Sequence, residues 1–520
     1  MIRSFMTVLS GTLASRLLGF VRDSLIAALL GAGPIADAFL AAFQLVNVIR
    51  RLLTEGALNA SLVPVWLRLQ RHEGAAAAAA FAGGVLGTVS SGLIVATILL
   101  AFAMPLVMTV LAPGFTGRAT LQLAVDNARL MLPYLAFAGP STVLLALASA
   151  HGRFALAAFS PLLFNGALIA VTIVLLATHG EPALAAPALA TTIGIAGLLQ
   201  LLMLVSRGRG GAIAAPLRIS IAPEMRHFLG KAFPGMVASA APQLLAVGGA
   251  IIASHQPSAV SWLYFANRLI ELPLGIVGMA MGTVLVPELT RALQAGDKTM
   301  LAHAQSRGLE LALGLALPAM LGLIVLSKPI VRLLFEHGAF TATDTAATAD
   351  ILAWLAVALP AQVLVKALSP AFFAREDTHA PMNATLVGVV AAIALAMVLA
   401  HLLGSSGIAI GLALGAWAQV LVLFHRGALS FGFAIEPATR RRLPRIVLAA
   451  LAMGGALWAV MVATTTFVAP HGALGQAALL FSLIAGGIVL YGGLLSALGV
   501  TGWRQTVQAI RQRPSHDLRG

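Results

Sequence analysis

The feature that most constrains this chain is a succession of apolar stretches, each long enough to cross about 30 Å of hydrocarbon. Fourteen can be placed, near 5–30, 35–58, 78–108, 124–149, 155–179, 183–205, 232–254, 259–286, 309–328, 347–372, 382–402, 405–425, 444–468 and 474–499. Of the 520 residues 59% are apolar and only 10% charged, more hydrocarbon than a soluble domain of this size can hide. The chain therefore reads as an all-α polytopic membrane protein. It has no cysteine, so the fold rests on helix packing without disulfides or thiolate metal sites. The first sixteen residues, basic and then briefly apolar, resemble a signal peptide, but the apolar pattern resumes straight after Arg22 and Asp23 without a loop, so they read as part of the first span.

Lys and Arg set the expected orientation. With the N-terminus in the cytoplasm, the even-numbered connections become cytoplasmic. They hold Arg68, Arg71, Arg153, the cluster from Arg207 to Lys231, Arg291, Lys298, Arg307, Arg375, Arg426 and RRRLPR at 440–445. Both termini are then cytoplasmic. The net charge of +14 needs no nucleic acid, because topology and anionic lipid headgroups account for it.

The chain also repeats itself. SLVPVWLRLQ aligns with TVLVPELTRAL, pairing Pro64 with Pro287 at an offset of 223; FAGPSTVLLALAS aligns with VALPAQVLVKALS, pairing Pro140 with Pro360 and then Pro161 with Pro381 at an offset of 220. The aligned spans run in the same direction, so the halves read as parallel repeats. The expected architecture is two six-helix lobes around a central cavity plus two C-terminal helices. Its divisions are 1–206 (N-lobe), 207–425 (C-lobe), 426–500 (the last two helices) and 501–520 (a cytoplasmic tail).

Charges inside the spans point to that cavity, since an ionisable group at the bilayer centre costs about 3 kcal/mol and usually faces protein or water. At about 100° per residue, Ser15, Arg16, Arg22 and Asp23 share one face of the first span. Ser261, Tyr264, Asn267, Arg268 and Glu271 share a face of the eighth. In the second, Asp37, Gln44, Arg51 and Glu55 form a stripe, with Arg50 off its edge. Arginine is permanently charged and forks its donors to match carboxylate or phosphate. The set therefore points to an anionic ligand, or else each arginine is paired with Asp23, Asp37, Glu55 or Glu271 as structural glue. Lys366 reads as buried against a carbonyl or water rather than as part of the site, and the histidines read as interfacial. No HExxH, GxSxG, P-loop or paired-aspartate metal signature is present, which favours a transporter over an enzyme.

The strings SRLLGFVRD, DAFLAAFQLVNVIRRLLTEGA, LAPGF, HGRFALAAFSPLLFN, YFANRLIELPLGIVGMAMGTVLVPEL and SPAFFAREDTHAPM resemble the MurJ/MviN lipid II flippases of bacterial inner membranes, in order over nearly the whole chain. The resemblance implies the fold of the multidrug/oligosaccharidyl-lipid/polysaccharide exporter superfamily. It also implies the substrate, lipid II, the undecaprenyl-diphosphate-linked disaccharide-pentapeptide precursor of peptidoglycan, moved from the cytoplasmic to the periplasmic leaflet.

Carried over by position, the family's cavity arginines fall on Arg16, Arg22, Arg50 and Arg268, with Asp37, Ser261 and Glu271 beside them. Asn267 stands where the family often has aspartate. The resemblance favours Arg50 where the wheel favours Arg51, which a kink in the second span would explain. Two or three arginines suit the roughly two charges of a diphosphate, and the last two helices could supply a groove for the isoprenoid tail. A monomer without cofactor is expected, with Na+, H+ or the membrane potential open as the drive. The rival readings are a multidrug or cation antiporter of the same superfamily and, further off, a membrane enzyme acting on lipid-linked sugars.

Overall fold

The computed structural model describes residues 2–54, 57–207, 218, 219, 225, 241–295, 298–373, 375, 377, 379–431, 435–467 and 472–500. Among these there is no strand; almost every residue lies in a helix. Among the described residues nine helical stretches are long and apolar enough to cross a membrane. All fourteen apolar stretches read from the sequence carry helix, but the nine do not by themselves return a count of fourteen. The difference has physical causes. The helix over the second stretch holds Asp37, Arg50 and Arg51 within 21 residues, and the eleventh and twelfth stretches lie in one long helical element.

The chain packs as two compact units. The first comprises Met1–Phe265 with Leu334–Thr345, and the second Ala266–Leu333 with Ala346–Gly520. In the first, α1 (Ile2–Leu30) packs along α7 (Phe154–Ala177), and α2 (Pro34–Thr54) packs along α5 (Ala119–Met131). Between α2 and α5 run α3 (Ala57–His72) and α4 (Ala75–Leu111). The helix α6 (Pro133–Ala150) lies against α4 and α8 (Pro182–Arg207), and α9 (Ala241–Ala253) follows in sequence. The core joining α3, α4 and α6 holds Leu62, Trp66, Val85, Val143 and Leu147. Away from it, Phe102, Leu106 and Val110 of α4 are well exposed, as a lipid-facing surface requires.

In the second unit, α10 (Ala259–Gln294, from Ala266 onward) precedes α11 (Lys298–Val325) and α12 (Ser327–Phe335, to Leu333). Then come α13 (Ala342–Ala356, from Ala346), α14 (Ala358–Phe373) and α15 (His379–Phe431). The helix α15 is two helices joined at Gly404, whose φ of 62° and ψ of −142° turn the chain back. Its halves meet through small residues one turn apart: any side chain at Gly411 or Gly415 would collide with Ala396 or Ala392. The last pair, α16 (Pro437–Phe467) and α17 (Ala473–Ala497), pack on α11 through Ala449, Met453, Leu457 and Leu480. The Tyr491 hydroxyl donates to the Gly314 carbonyl at 2.8 Å.

Two of the apolar stretches are broken close to a proline. The fourth stretch is interrupted at Leu132, just before Pro133 and a few residues before Pro140. The tenth is interrupted at Val357, a few residues before Pro360. Proline lacks an N–H and cannot continue the hydrogen-bond ladder behind it, so both breaks follow from its placement. The expected kink in the second stretch is not found: α2 is one helix through Thr54. Glu55, part of Arg207–Lys231 and the tail 501–520 lie outside the described residues.

Candidate functional site

Within the first unit the charged face expected of α1 is present and turned inward. Arg22 is 6% exposed and Asp23 fully buried. Arg22 donates through Nε at 2.9 Å and Nη2 at 2.6 Å to one oxygen of Asp23, and through Nη1 at 3.0 Å to Oδ1 of Asn165 on α7. Asn165 in turn donates to the Ser15 carbonyl at 3.1 Å, which fixes the amide and ties α7 to α1. The guanidinium lies 5.2 Å from the Phe43 ring centre and 5.8 Å from that of Phe164. Cation–π attraction strengthens when the pair is desolvated, as here. Tyr264 adds a donor to the same Asp23 oxygen at 3.3 Å. Among the described residues three of the five N–H bonds of the guanidinium are thus committed and two meet no acceptor. Arg16 is half-buried on the same helix.

The second cluster sits where α10 begins. Asp37 of α2 accepts from the Ser258 N–H (2.9 Å), the Ser261 N–H (2.9 Å) and the Ser261 hydroxyl (2.6 Å). It satisfies amides that a helix start leaves unpaired and places a negative charge at the positive end of the macrodipole. Ser258 is held in the left-handed region at φ 63°. Nearby, Asp344 accepts from the Trp262 indole N–H at 3.0 Å while capping its own helix through Thr341. Asp37 and Ser261, expected beside the arginines, are thus bonded to each other as a helix cap, and Ser261 is buried.

Arg50 and Arg51 are both half-buried; Arg50 takes Oδ1 of Asn47 through Nε and Nη2, each at 3.4 Å. In the second unit, Arg268 donates to Glu271 at 2.7 Å across one helical turn, with Asn267 half-buried beside them. About a quarter or less of each of the two side chains is exposed, so this pair is more open than Arg22–Asp23. Lys366 departs from its expected burial and is exposed.

Sequence reasoning missed Asn165, Phe43, Phe164 and Asp344. A lone asparagine inside an apolar span and the T-x-x-D spacing of Thr341 and Asp344 were the available signals. The phenylalanines carried none, being indistinguishable from lipid-facing residues.

Helices built to cross a bilayer, with arginines held inside them by carboxylates, amides and rings, define a multi-pass membrane transporter. The family model described as lipid II flippase MurJ matches residues 26–474, and the chain belongs to that family. A probable lipid II flippase MurJ of Rhizobium tropici is 37% identical over 464 residues, 88% of this chain and 86% of the relative. The lipid II flippase MurJ of Burkholderia cenocepacia is 31% identical over 461 residues, 87% of this chain and 89% of the relative. Among solved structures, a lipid II flippase MurJ in an inward closed conformation shares the fold, with a TM-score of 0.78 at 21% identity, covering 96% of this chain and all of that one. An inward-facing MATE multidrug transporter is also similar, with a TM-score of 0.66 at 15% identity over 85% of this chain. Membership places the chain among transporters rather than enzymes.

Proposed function

We propose that this chain flips lipid II from the cytoplasmic to the periplasmic leaflet by alternating access, and that Arg22 is the centre of its anion site. The observation carrying this reading is the Arg22 cluster. A permanently charged fork is anchored on one side by Asp23 and Asn165, is backed by two aromatic rings, and among the described residues keeps two N–H bonds uncommitted. A diphosphate is the acceptor that such a fork suits. Arg16 and Arg50 in the first unit, and Arg268 with Asn267 and Glu271 in the second, supply further contacts to the headgroup. Asp37 and Ser261 set the start of α10 that carries them, while Arg51 adds to the polar stripe of α2.

The protein works as a monomer in the bacterial inner membrane with both termini in the cytoplasm. Residues 1–206 and 207–425 act as the two lobes, and 426–500 receive the isoprenoid tail. The test is the leaflet accessibility of labelled lipid II in cells depleted of the protein. Loss of periplasmic exposure, restored by the wild-type chain and not by Arg22→Ala combined with Asp23→Asn, is the expected result. Unchanged exposure on depletion overturns the reading.

A further inference from the structure

The outer face of α5, in the first unit, carries charges that the arginine clusters do not use. Gln122, Asp126 and Arg129 are spaced i, i+4 and i+7, one stripe of the helix, and all three are exposed. The Gln122 amide donates to Oδ1 of Asp126 at 2.9 Å. Arg129 reaches α4 instead, donating through Nε to the Ala101 carbonyl at 3.1 Å. Although Asp126 and Arg129 stand one turn apart, no ion pair joins them among the described residues. Nor do the second carboxylate oxygen and the four N–H bonds of Nη1 and Nη2 meet a partner there. The surroundings are apolar: Leu99 and Phe102, on either side of Ala101 in α4, are 62% and 80% exposed. From Leu130 to Ala150 the chain has no Asp, Glu, Lys, Arg or His, a run of roughly 30 Å that matches the hydrocarbon thickness. Arg129 therefore stands where that run begins, at the level of lipid phosphate, with Asp126 one turn further out.

A guanidinium fork suits a phosphate diester, whose two free oxygens it can take together. A carboxylate just outside it repels an anionic headgroup and attracts an ammonium. Side chains one turn apart hold their Cβ atoms about 5–6 Å from each other, a spacing that a phosphate and an ammonium joined through two carbons can match. The order agrees as well, since a phospholipid turns its phosphate toward hydrocarbon and its ammonium toward water. We propose that Asp126 and Arg129 bind the headgroup of phosphatidylethanolamine. The phosphate lies on Arg129, the ammonium on Asp126, and the acyl chains run over Leu99 and Phe102 of α4. This site serves a lipid of the surrounding bilayer, so it does not depend on which substrate the protein transports.

The cysteine-free chain lets a fluorophore be placed by one substitution in the purified full-length protein. Leu130→Cys sets it beside the site, and Val489→Cys, on the exposed face of α17, sets a control in the second unit. Quenching by brominated phosphatidylethanolamine, phosphatidylcholine and phosphatidylglycerol with matched acyl chains reads the relative affinity of each lipid at each label. Beside Leu130→Cys, phosphatidylethanolamine should bind about tenfold more tightly than the other two. Phosphatidylcholine has no N–H on its cation, and phosphatidylglycerol has no cation. Added to that background, Arg129→Gln should bring all three lipids to one weak level. Asp126→Asn should lower phosphatidylethanolamine to the level of phosphatidylcholine and raise phosphatidylglycerol. The label at Val489→Cys should show no preference in any variant, which separates loss of the site from loss of the fold. Equal quenching by the three lipids beside Leu130→Cys overturns the proposal, as does a preference that survives Arg129→Gln. A preference for phosphatidylglycerol without further substitution also overturns it, because Arg129 would then hold any anionic lipid.

Discussion

One oxygen of Asp37 accepts both the N–H and the hydroxyl of Ser261, a residue 224 positions away in sequence. The other oxygen holds the Ser258 N–H in a left-handed turn that a non-glycine residue adopts at a cost. Replacing Asp37 by Asn puts an amide donor against one of these N–H groups, and replacing it by Ala leaves all three donors unmet, the two of Ser261 buried and that of Ser258 half-buried. Each buried donor left unmet costs on the order of 1–3 kcal/mol. Asp37→Ala should therefore lower the melting temperature of the purified protein clearly, with Asp37→Asn intermediate. Ser261→Ala removes one bond of three and should be the mildest.

The buried Arg22–Asp23 pair predicts a separation of stability from transport. Removing one member of a buried ion pair leaves an uncompensated charge, at a cost of roughly 3–5 kcal/mol. Arg22→Ala should then fail to complement a flippase-depleted strain and should also accumulate poorly in the membrane. The double variant Arg22→Ala with Asp23→Asn removes the orphaned charge. It should recover membrane level without recovering complementation, whereas full complementation by the double variant would reduce the arginine to structural glue. Arg22→Lys returns the charge but cannot hold Asp23 and Asn165 together, so it should rescue only in part.

Arg268 and Glu271 should behave differently. They face each other at i,i+3 on α10 and are partly exposed, a geometry worth about 0.5 kcal/mol or less in isolated helices. Arg268→Ala should leave the melting temperature within a few degrees of the wild type while abolishing complementation. A large thermal shift would show that the pair is a packing element instead.

These contrasts mark what could be read from the sequence. Arg22, Asp23 and Arg268 stand out because a charge in an apolar run has few explanations, and their inward faces follow from helical spacing alone. The pairing of Asp37 with the start of α10 is a contact between distant segments, which no periodicity encodes. Asn165, Phe43 and Phe164 acquire meaning only once α7 and α2 bring them to the guanidinium. The breaks at Leu132 and Val357 fall within apolar stretches long enough to read as one helix each, and of the aligned prolines only Pro360 stands close behind a break, Pro140 lying within α6. Hydropathy reports the span and not the open face of α14, so it carries no sign that Lys366 is exposed.

Orientation is testable on its own. The exposed arginines at the start of α16 and the short connection between α7 and α8 should lie on opposite sides of the membrane. A phosphatase reporter fused after Arg442 should be silent and one fused within 179–185 active. The reverse pattern would invert the assignment of both termini.

The last prediction concerns opening of the first unit at the end of α1. Leu334–Thr345 belongs to that unit although the flanking chain does not, and its attachment is close. The Ala339 N–H donates to the Ala28 carbonyl at 2.8 Å, and the Ser24 hydroxyl reaches the Leu334 carbonyl. Any side chain at Gly338 would strike the Ala28 carbonyl, and one at Gly31 would stand 2.5 Å from the Ala339 carbonyl. Backbone meets backbone here because both positions are glycine, each with positive φ. Phe265 packs on Phe335 and Phe340 behind the contact. Under alternating access such a clasp closes the end of α1 and must part once in each cycle. The absence of cysteine makes the test direct on the natural background. Residues joined by a backbone hydrogen bond place their Cα atoms within the roughly 7 Å that a disulfide spans, so Ala28→Cys with Ala339→Cys should crosslink under oxidation. Transport of lipid II should stop when the bond forms and resume on reduction, with each single cysteine variant unaffected by either treatment. Undiminished transport through a fully crosslinked protein would mean that the clasp never opens, and that the route for the headgroup avoids the end of α1.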